Sequence, residues 1–319
     1  MQFRALRVLG LAGLLALTAA APPGTAPVQD WANIETVVVT PQAAGPALWH
    51  IATPTSEVWI LPMVSPIPKG LAWDSKFVSD EIKGSNLLLL PPRGHVGFFE
   101  GLWFYTWHMD TLEQPDGKAL EATLPGPLKG RFVAARARIG KDEDRYGKYL
   151  GGVAAIMLES DYWNYAKLTF KEPQETLESI AAHNRVPARE TAVYPAMDVI
   201  HDIPTMTPAA HLACLDDALK DIDTASAHAA AAAQAWAVGD IAGIKANYLE
   251  TRLDDCLQQN GAYAKLREMA NRDMTDAILA ALKKPGKSFA VMPMGFFLRK
   301  GGVLERLETA GVAVSGPGG

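Results

Sequence analysis

Side chains that can bind a metal ion are concentrated in one short stretch of this 319-residue sequence. His95, Glu100, His108 and Asp110 follow one another closely there. Imidazole and carboxylate groups hold Zn²⁺ and other divalent ions in proteins, and such ligands occur in clusters. The stretch therefore provides candidate ligands for a divalent metal ion, namely His95, Glu100 and His108.

The same stretch is rich in aromatic residues, which favours a different interpretation. These residues are Phe98, Phe99, Trp103, Phe104, Tyr105 and Trp107. Large aromatic side chains that lie together outside a core are typical of a binding surface. We therefore interpret residues 98–107 as an aromatic lid or partner surface, with the metal site as the less favoured alternative.

The chain has two cysteines, Cys214 and Cys256, and both fall in stretches with a helical pattern. In an oxidising compartment a single pair of cysteines is more often a disulfide than two free thiols. The spacing does not indicate zinc, because zinc ligands come in clusters. We predict a disulfide between Cys214 and Cys256; the alternative is two separate buried thiols.

The N-terminus has the pattern of a secretory signal peptide. Arg4 and Arg7 are followed by an apolar run over residues 8–17 and by small residues over 18–21. The apolar run is too short to span a membrane, so residues 1–21 are predicted to be a signal peptide that is cleaved after Ala20 or Ala21. The alternative is an uncleaved buried helix. This places the mature protein, residues 22–319, in the periplasm or outside the cell.

Composition and charge exclude several classes of function. Hydrophobic residues make up 49% of the chain and charged residues 20%, as in an ordinary globular protein. The formal charge is −5, and it becomes −7 when Arg4 and Arg7 are removed with the signal peptide. Nucleic-acid binding requires a basic face, so nucleic acid is not an expected partner. Beyond the signal peptide, no segment has the apolar length of a membrane span.

Hydrophobic patterns predict strands near both ends of the chain. Residues 48–51 and 58–61 look like two strands joined by a turn over residues 53–56, so we expect a β-hairpin. Residues 87–90 are four consecutive leucines before two prolines, which suits a strand that is buried on both faces. Further strands are predicted at the positions 192–194, 289–292 and 312–314.

The middle of the chain has mainly helical patterns. Residues 171–184 look helical, and residues 128–140 fit either a helix or a strand. Thr207 can cap a helix that starts at Pro208 and continues through an alanine-rich stretch. We expect a long helical excursion over about residues 170–285 and a short helix over 302–309. The fold class predicted is α/β, with a sheet assembled from both ends of the chain.

Several motifs, taken in order, resemble those of the TraB/GumN family. The N-terminal ones are G-P-A-L-W-H-I at 45–51, E-V-W-I-L-P-M-V-S at 57–65 and P-K-G-L-A-W at 68–73. The later ones are A-W-A-V-G-D at 235–240, N-R-D at 271–273, F-A-V-M-P-M-G-F-F at 289–297, G-V-L-E-R-L at 302–307 and G-V-A-V at 311–314. No motif is decisive alone, but their order and spacing make the match specific.

The resemblance implies a fold and a type of site. It implies one domain with a mixed β-sheet from two pseudo-equivalent halves, wrapped by helices and carrying a long helical insertion. The family includes the Tiki-type metalloproteases, and its members are thought to hold a divalent metal with a glutamate and the histidines of two G-x-x-H motifs. Glycine lets the backbone turn tightly at a strand end, and the histidine can then face the ion. The open coordination positions would activate water.

This sequence departs from the family pattern at each ligand. Proline replaces the motif glycines at Pro62 and Pro293, and the histidine positions hold Ser65 and Phe296. The glutamate expected after the leucine run falls on Leu90 or Pro91. Serine is a poor neutral ligand and phenylalanine has no lone pair, so the family metal site should be lost. We expect no cofactor, with a divalent metal ion at a relocated site as the alternative.

Arg272 matches a family arginine and is a candidate residue of the cleft, although a surface salt bridge is the simpler interpretation. Ser65 lacks the G-x-S-x-G context of a serine nucleophile. The sequence therefore favours an exported pseudoenzyme that acts in the cell envelope by binding or scaffolding an unknown protein or peptide partner. The alternatives are a peptidase-like, metal-dependent hydrolase that uses His95, Glu100 and His108, and a structural envelope protein without a ligand.

Overall fold

The computed structural model describes residues 30–32, 45–249 and 251–317. The predicted signal peptide, residues 1–21, lies outside the described residues. The division into this signal peptide and one domain over 22–319 therefore stays a prediction.

The strands and α-helices follow in chain order. The strands are β1 (Trp49–Ala52), β2 (Ser56–Met63), β3 (Ile67–Pro68), β4 (Ser85–Leu90), β5 (Arg93–His95), β6 (Leu168–Thr169), β7 (Ala188–Glu190), β8 (Val193–Pro195) and β9 (Gly286–Pro293). The helices are α1 (Lys76–Ile82), α2 (Phe98–Trp107), α3 (Leu120–Thr123), α4 (Gly126–Arg138), α5 (Gly151–Tyr165), α6 (Glu172–His183), α7 (Met197–Asp202), α8 (Pro208–Ala237), α9 (Ile241–Asn247), α10 (Arg252–Leu257), α11 (Gly261–Leu282), α12 (Met294–Leu298) and α13 (Val303–Thr309).

A mixed five-stranded sheet has the order β1-β2-β9-β4-β7. The four strands from β2 to β7 are parallel to their neighbours, and β1 pairs antiparallel with β2. The predicted hairpin is confirmed, since Trp49 pairs with Ile60. The α/β fold class is also confirmed, because N-terminal strands sit on both sides of the C-terminal strand β9.

The central strands are apolar because helices cover both faces of the sheet. Residues 288–292 of β9 and the last three leucines of β4 are buried, as expected for the unbroken leucine run. The largest buried cluster joins this sheet to α1, α6, α11 and the C-terminal half of α8. A second cluster lies between α4, α5, α8 and α10.

Helix α8 begins as its sequence predicts. The side chain of Thr207 accepts a hydrogen bond from the backbone N–H of Ala210 at 3.2 Å, and Pro208 occupies the first turn. The helix ends at the predicted A-W-x-x-G-D junction, where the Asp240 side chain caps α9. Trp236 is buried there, and its indole N–H donates to the backbone carbonyl of Pro62 at 2.8 Å. Trp236 therefore fastens the long helix to the end of β2.

Two local expectations, on residues 312–314 and on the stretch 170–285, need correction. Residues 312–314 form no strand; this terminal segment joins the sheet only through a bridge between His50 and Ser315. The stretch 170–285 is not helical throughout: β8 confirms the strand predicted at 192–194, and β7, which was not predicted, also interrupts it. The N-R-D motif lies within α11. Residues 93–110, which have no clear period, contain β5 and α2. Tertiary packing decides each of these segments, so periodicity alone does not reveal them.

None of the helices within the described residues has the length and apolar character needed to cross a membrane.

Replacing Trp236 by Phe tests the attachment of α8 to β2. The change removes the N–H that pairs with the Pro62 carbonyl and leaves a small void, so we expect a loss of about 2–4 kcal/mol in the free energy of unfolding. Urea denaturation measures it. Tyr165→Phe is the control, because Tyr165 is 55% exposed and loss of its hydroxyl should cost less than about 0.5 kcal/mol. Equal effects from the two substitutions would contradict this attachment.

Candidate functional site

Three strand ends carrying the family ligand positions meet at one edge of the sheet. The register pairs Met63 at the end of β2 with Pro293 at the end of β9, and Leu89 of β4 with Ala290 of β9. Parallel neighbours end at the same edge, so the segments after β2, β9 and β4 leave the sheet side by side. The structure thus places Ser65, Phe296 and Leu90 at neighbouring strand ends, although they are far apart in sequence.

Proline fits these strand ends for a local reason. Strand β1 pairs with β2 only as far as Ile60. Pro62 therefore lies where β2 has lost its neighbour on one side, which is where a sheet accepts a residue without an N–H. Pro293 is the last residue of β9 and the N-cap of α12. Proline is tolerated at the start of a helix, because the N–H groups of the first turn have no helical partners.

Ser65 lies beside a small cavity rather than in a cluster of ligands. The cavity has a volume of about 30 Å³, which is room for roughly two water molecules. Asp221, Thr224 and His228 of α8 line its opposite side. The Nδ1 atom of His228 is buried without a hydrogen-bond partner. The cavity lies between the segment that follows β2 and the middle of α8.

The ring of Phe296 is in contact with a positively charged side chain. Its ring is partly buried, and the guanidinium of Arg267 lies over it at 5.1 Å from the ring centroid. Arg267 also forms an ion pair with Asp254. A guanidinium over an aromatic face is attracted by the ring's quadrupole, and this arrangement stabilises the α11–α12 contact. At this position, where the resemblance implies an imidazole, the chain therefore has a packing group.

The third ligand position also lacks a donor group. Leu90 is 5% exposed and lies in the core, and Pro91 follows it. The neighbouring strand β7 ends in a carboxylate, Glu190, whose backbone pairs with Leu90. The carboxylate accepts a hydrogen bond from Arg93 Nε at 3.0 Å. A backbone hydrogen bond, and then Arg93, lower the pKa of Glu190 below its usual range. Glu190 was missed by sequence reasoning, because β7 has no strong strand pattern.

Arg272 belongs to a polar group at the same end of the molecule. It forms an ion pair with its neighbour Asp273 at 3.0 Å, and its side chain is 58% exposed. The carboxylate of Asp273 also accepts a hydrogen bond from the hydroxyl of Tyr194 at 2.7 Å. Burial, and then this hydrogen bond, raise the pKa of Tyr194. The group links α11 to the β5–β8 ribbon, which agrees with the salt-bridge interpretation of Arg272.

The structure does not bring His95, Glu100 and His108 together as a metal site. His95 is exposed on β5, and Glu100 lies in the first turn of α2. His108 follows α2, and its ring lies 4.1 Å from the ring of Trp103. Over residues 30–32, 45–249 and 251–317, no group of three or more His, Cys, Asp or Glu side chains could hold a metal ion.

The two cysteines meet in the second core. Cys214 of α8 and Cys256 of α10 are joined by a disulfide and are buried. The bridge holds the short helix α10 against α8, close to the loop that lines the Ser65 cavity. By closing a loop across 42 residues, it restricts the unfolded chain and so stabilises the fold.

Asp221, which lines the Ser65 cavity, lies near a second buried carboxyl group, Glu159. Glu159 of α5 is buried, and its Oε1 atom has no hydrogen-bond partner. Burial, and then the charge of Asp221, raise the pKa of Glu159 to about 8. Burial also raises the pKa of Asp221 to about 6. Asp221 keeps two partners, the backbone N–H of Leu253 at 3.0 Å and Arg252 at 3.3 Å. At neutral pH Glu159 is therefore protonated.

Comparison with known proteins shows the family of this chain. The model of the TraB/PrgY/gumN family matches residues 47–316, which is most of the chain. The protein therefore belongs to the TraB/PrgY/gumN family. No curated protein and no solved structure matched the chain.

Glu159→Gln tests the buried carboxyl group. The folded state keeps the proton up to about pH 8, whereas the unfolded chain loses it near pH 4.3. The folded protein therefore binds more protons in this window, and its free energy of unfolding falls as pH rises. Glutamine removes this penalty, so the variant should be more stable than wild type at pH 8, by on the order of 3 kcal/mol. The difference should disappear towards pH 4.

Denaturation at a series of pH values measures this effect. Glu175→Gln is the control, because Glu175 is exposed on α6, and it should leave the pH dependence unchanged. A free energy of unfolding of the wild type that does not fall as pH rises towards 8 would contradict a protonated Glu159.

Proposed function

We propose that this protein is an exported pseudoenzyme of its family, which acts in the cell envelope by binding or scaffolding a protein or peptide. One observation carries the proposal. The three strand ends at which the family is thought to place its metal ligands meet at one edge of the sheet, yet they present Ser65, Phe296 and Leu90. The residues present do not fit the metal. One hydroxyl, one hydrocarbon ring and one aliphatic side chain cannot replace two imidazoles and a carboxylate.

Packing at these positions supports the same conclusion. The face of Phe296 is covered by Arg267, and Leu90 is part of the main core. The Pro62 carbonyl is occupied by the indole N–H of Trp236. Each former ligand position except Ser65 thus has a packing role, and a metal ion would have to displace these contacts.

The edge still offers groups that can bind a polypeptide. It carries the two ion pairs Arg93–Glu190 and Arg272–Asp273, whose arginines are 55% and 58% exposed. Exposed ion pairs contribute little to stability, so they can exchange partners at little cost. Charges of both signs beside a strand end suit an extended peptide with charges of its own. The binding surface proposed is therefore this carboxyl edge, with Arg272 as one of its contact residues.

Metal binding by the purified protein decides between this proposal and a hydrolase. We expect no stoichiometric metal by elemental analysis and no saturable heat in calorimetric titrations with Mn²⁺, Co²⁺ and Zn²⁺, because the ligand positions lack suitable donors. Tight binding of one ion per chain, together with hydrolysis of peptides, would overturn the proposal. Loss of that binding in the variant His95→Ala, Glu100→Gln, His108→Ala would then assign the relocated site.

A reconstructed site provides the matched positive control. The variant Pro62→Gly, Ser65→His, Pro293→Gly, Phe296→His, with Pro91→Glu, restores the ligand types at the three strand ends. Gain of divalent binding by this variant, with none by the parent, is the expected pair of results.

Arg272→Glu tests the edge as a binding surface. Reversal of this charge should lower the affinity for a peptide that was selected against the parent by about tenfold or more.

Export has its own test. Mass spectrometry of the mature protein should place its N-terminus at Ala21 or Pro22, because signal peptidase cleaves after small residues. A purified protein that still begins at Met1, or a protein that is recovered only from the cytoplasm, would contradict export to the cell envelope.

A further inference from the structure

Helix α2 presents a broad apolar surface to solvent. Six large side chains are between 51% and 82% exposed, namely Phe98, Phe99, Leu102, Trp103, Tyr105 and Trp107. We define these six residues as the aromatic face. No role in the carboxyl-edge site has been assigned to them, so the aromatic face requires a separate explanation.

The aromatic face reverses the usual arrangement of a surface helix. With 3.6 residues per turn, its six side chains spread over an arc of about 200°. A surface helix normally turns its apolar stripe towards the core and its polar side chains towards water. In α2 only Phe104 is buried. This inversion costs free energy unless another molecule covers the arc.

Over residues 30–32, 45–249 and 251–317, the fold leaves the aromatic face uncovered. Phe104 packs in a small cluster with Leu112, Met197 and Ile203, and its ring lies 5.3 Å from that of His201. This cluster anchors the opposite side of α2 and holds the helix with its aromatic face outwards. The surface is therefore presented by a folded helix with a buried anchor.

The exposed area matches one side of a stable interface. Large apolar and aromatic side chains have about 200 Å² each, so six that are about two-thirds exposed present roughly 800 Å². A standard interface buries about 800 Å² on each partner, whereas the largest apolar patch of a typical monomer is about 300–600 Å². The aromatic face is therefore large enough to support association without further elements.

Charge selects the partner. The only charged residue of α2 is Glu100, and the helix has no Lys or Arg. A helix that binds a lipid surface usually carries basic residues on its polar face, and the formal charge of the chain is −5. An uncharged apolar arc instead fits another uncharged apolar arc of equal size. A second copy of this chain always supplies one.

We propose that the aromatic face forms a two-fold contact with the aromatic face of a second copy, and that the protein is a homodimer. In a two-fold interface each surface meets itself, and residues near the axis meet their own counterparts. Leu102 and Trp103 occupy the middle of α2 and so lie nearest the axis. The proposal goes beyond the binding function of the carboxyl edge and does not depend on it.

Sedimentation equilibrium of the purified full chain tests the dimer. The parent should have twice the monomer mass at micromolar concentration. The double variant Phe99→Glu, Trp103→Glu places four carboxylates in the contact and should weaken the dimer by at least about 100-fold. Tyr165→Glu is the matched control, because Tyr165 is 55% exposed on α5 and should leave the dimer intact. Circular dichroism verifies that each variant is folded.

A cysteine variant tests the position of the axis. The two native cysteines are bonded to each other, so Leu102→Cys introduces a single free thiol per chain. Mild oxidation should join two copies of this variant through that thiol, whereas Phe170→Cys, on an exposed position away from α2, should remain uncoupled.

Three outcomes would overturn the proposal. The first is a parent that stays monomeric up to about 100 µM. Stable interfaces of standard size have dissociation constants below this concentration. The second is a dimer whose mass is unchanged by the double glutamate variant. The third is a monomer that pellets with phosphatidylcholine vesicles and loses this property in the same variant, which would assign the aromatic face to lipid. Metal and peptide binding at the carboxyl edge leave each of these measurements unaffected.

Discussion

The parallel pairing of β2 with β9 is the constraint on which the rest of this structure depends. It joins residues 56–63 to residues 286–293 in one continuous register. That register brings the two ends of the chain into one sheet and sets their strand ends side by side. Of the segments between them, β4 and β7 join the same sheet, whereas the helices from α7 to α11 lie outside it. Burial of β9 between β2 and β4 gives this pairing its stability, since its residues 288–292 are removed from water.

The same constraint explains how the strand ends keep their positions whatever residues follow them. Strand ends are positioned by the hydrogen bonds and the buried side chains of the strands, whereas the residues just beyond them are free to differ. Phe296 packs against Arg267, and Leu90 lies in the main core. Trp236 binds the end of β2 through the Pro62 carbonyl and so keeps α8 in place without a metal ion. The geometry of the edge is thus maintained by the core and does not require the ligands.

Strong local signals made much of the fold predictable. The hairpin of β1 and β2, the leucine strand β4 and the capped start of α8 have short patterns with a direct physical cause. The strand and helix patterns predicted the α/β class, and the family resemblance supplied the positions of Ser65, Phe296 and Leu90. The failures share a different feature. β7 and the segment 312–314 are short, and whether such a segment forms a strand depends on its neighbours in the sheet. Glu190 was missed as a site residue for the same reason.

By itself, the sequence determined which chemical groups the protein has: which ligand types are absent from the family positions, that two cysteines are present, and that residues 98–107 are aromatic. It could do so because chemical identity does not depend on folding. Only the tertiary structure decided which of those groups meet. It separated His95, Glu100 and His108, placed Glu159 beside Asp221, and turned the aromatic face of α2 outwards. These arrangements arise from contacts between segments that are distant in sequence, and local periodicity carries no information about such contacts.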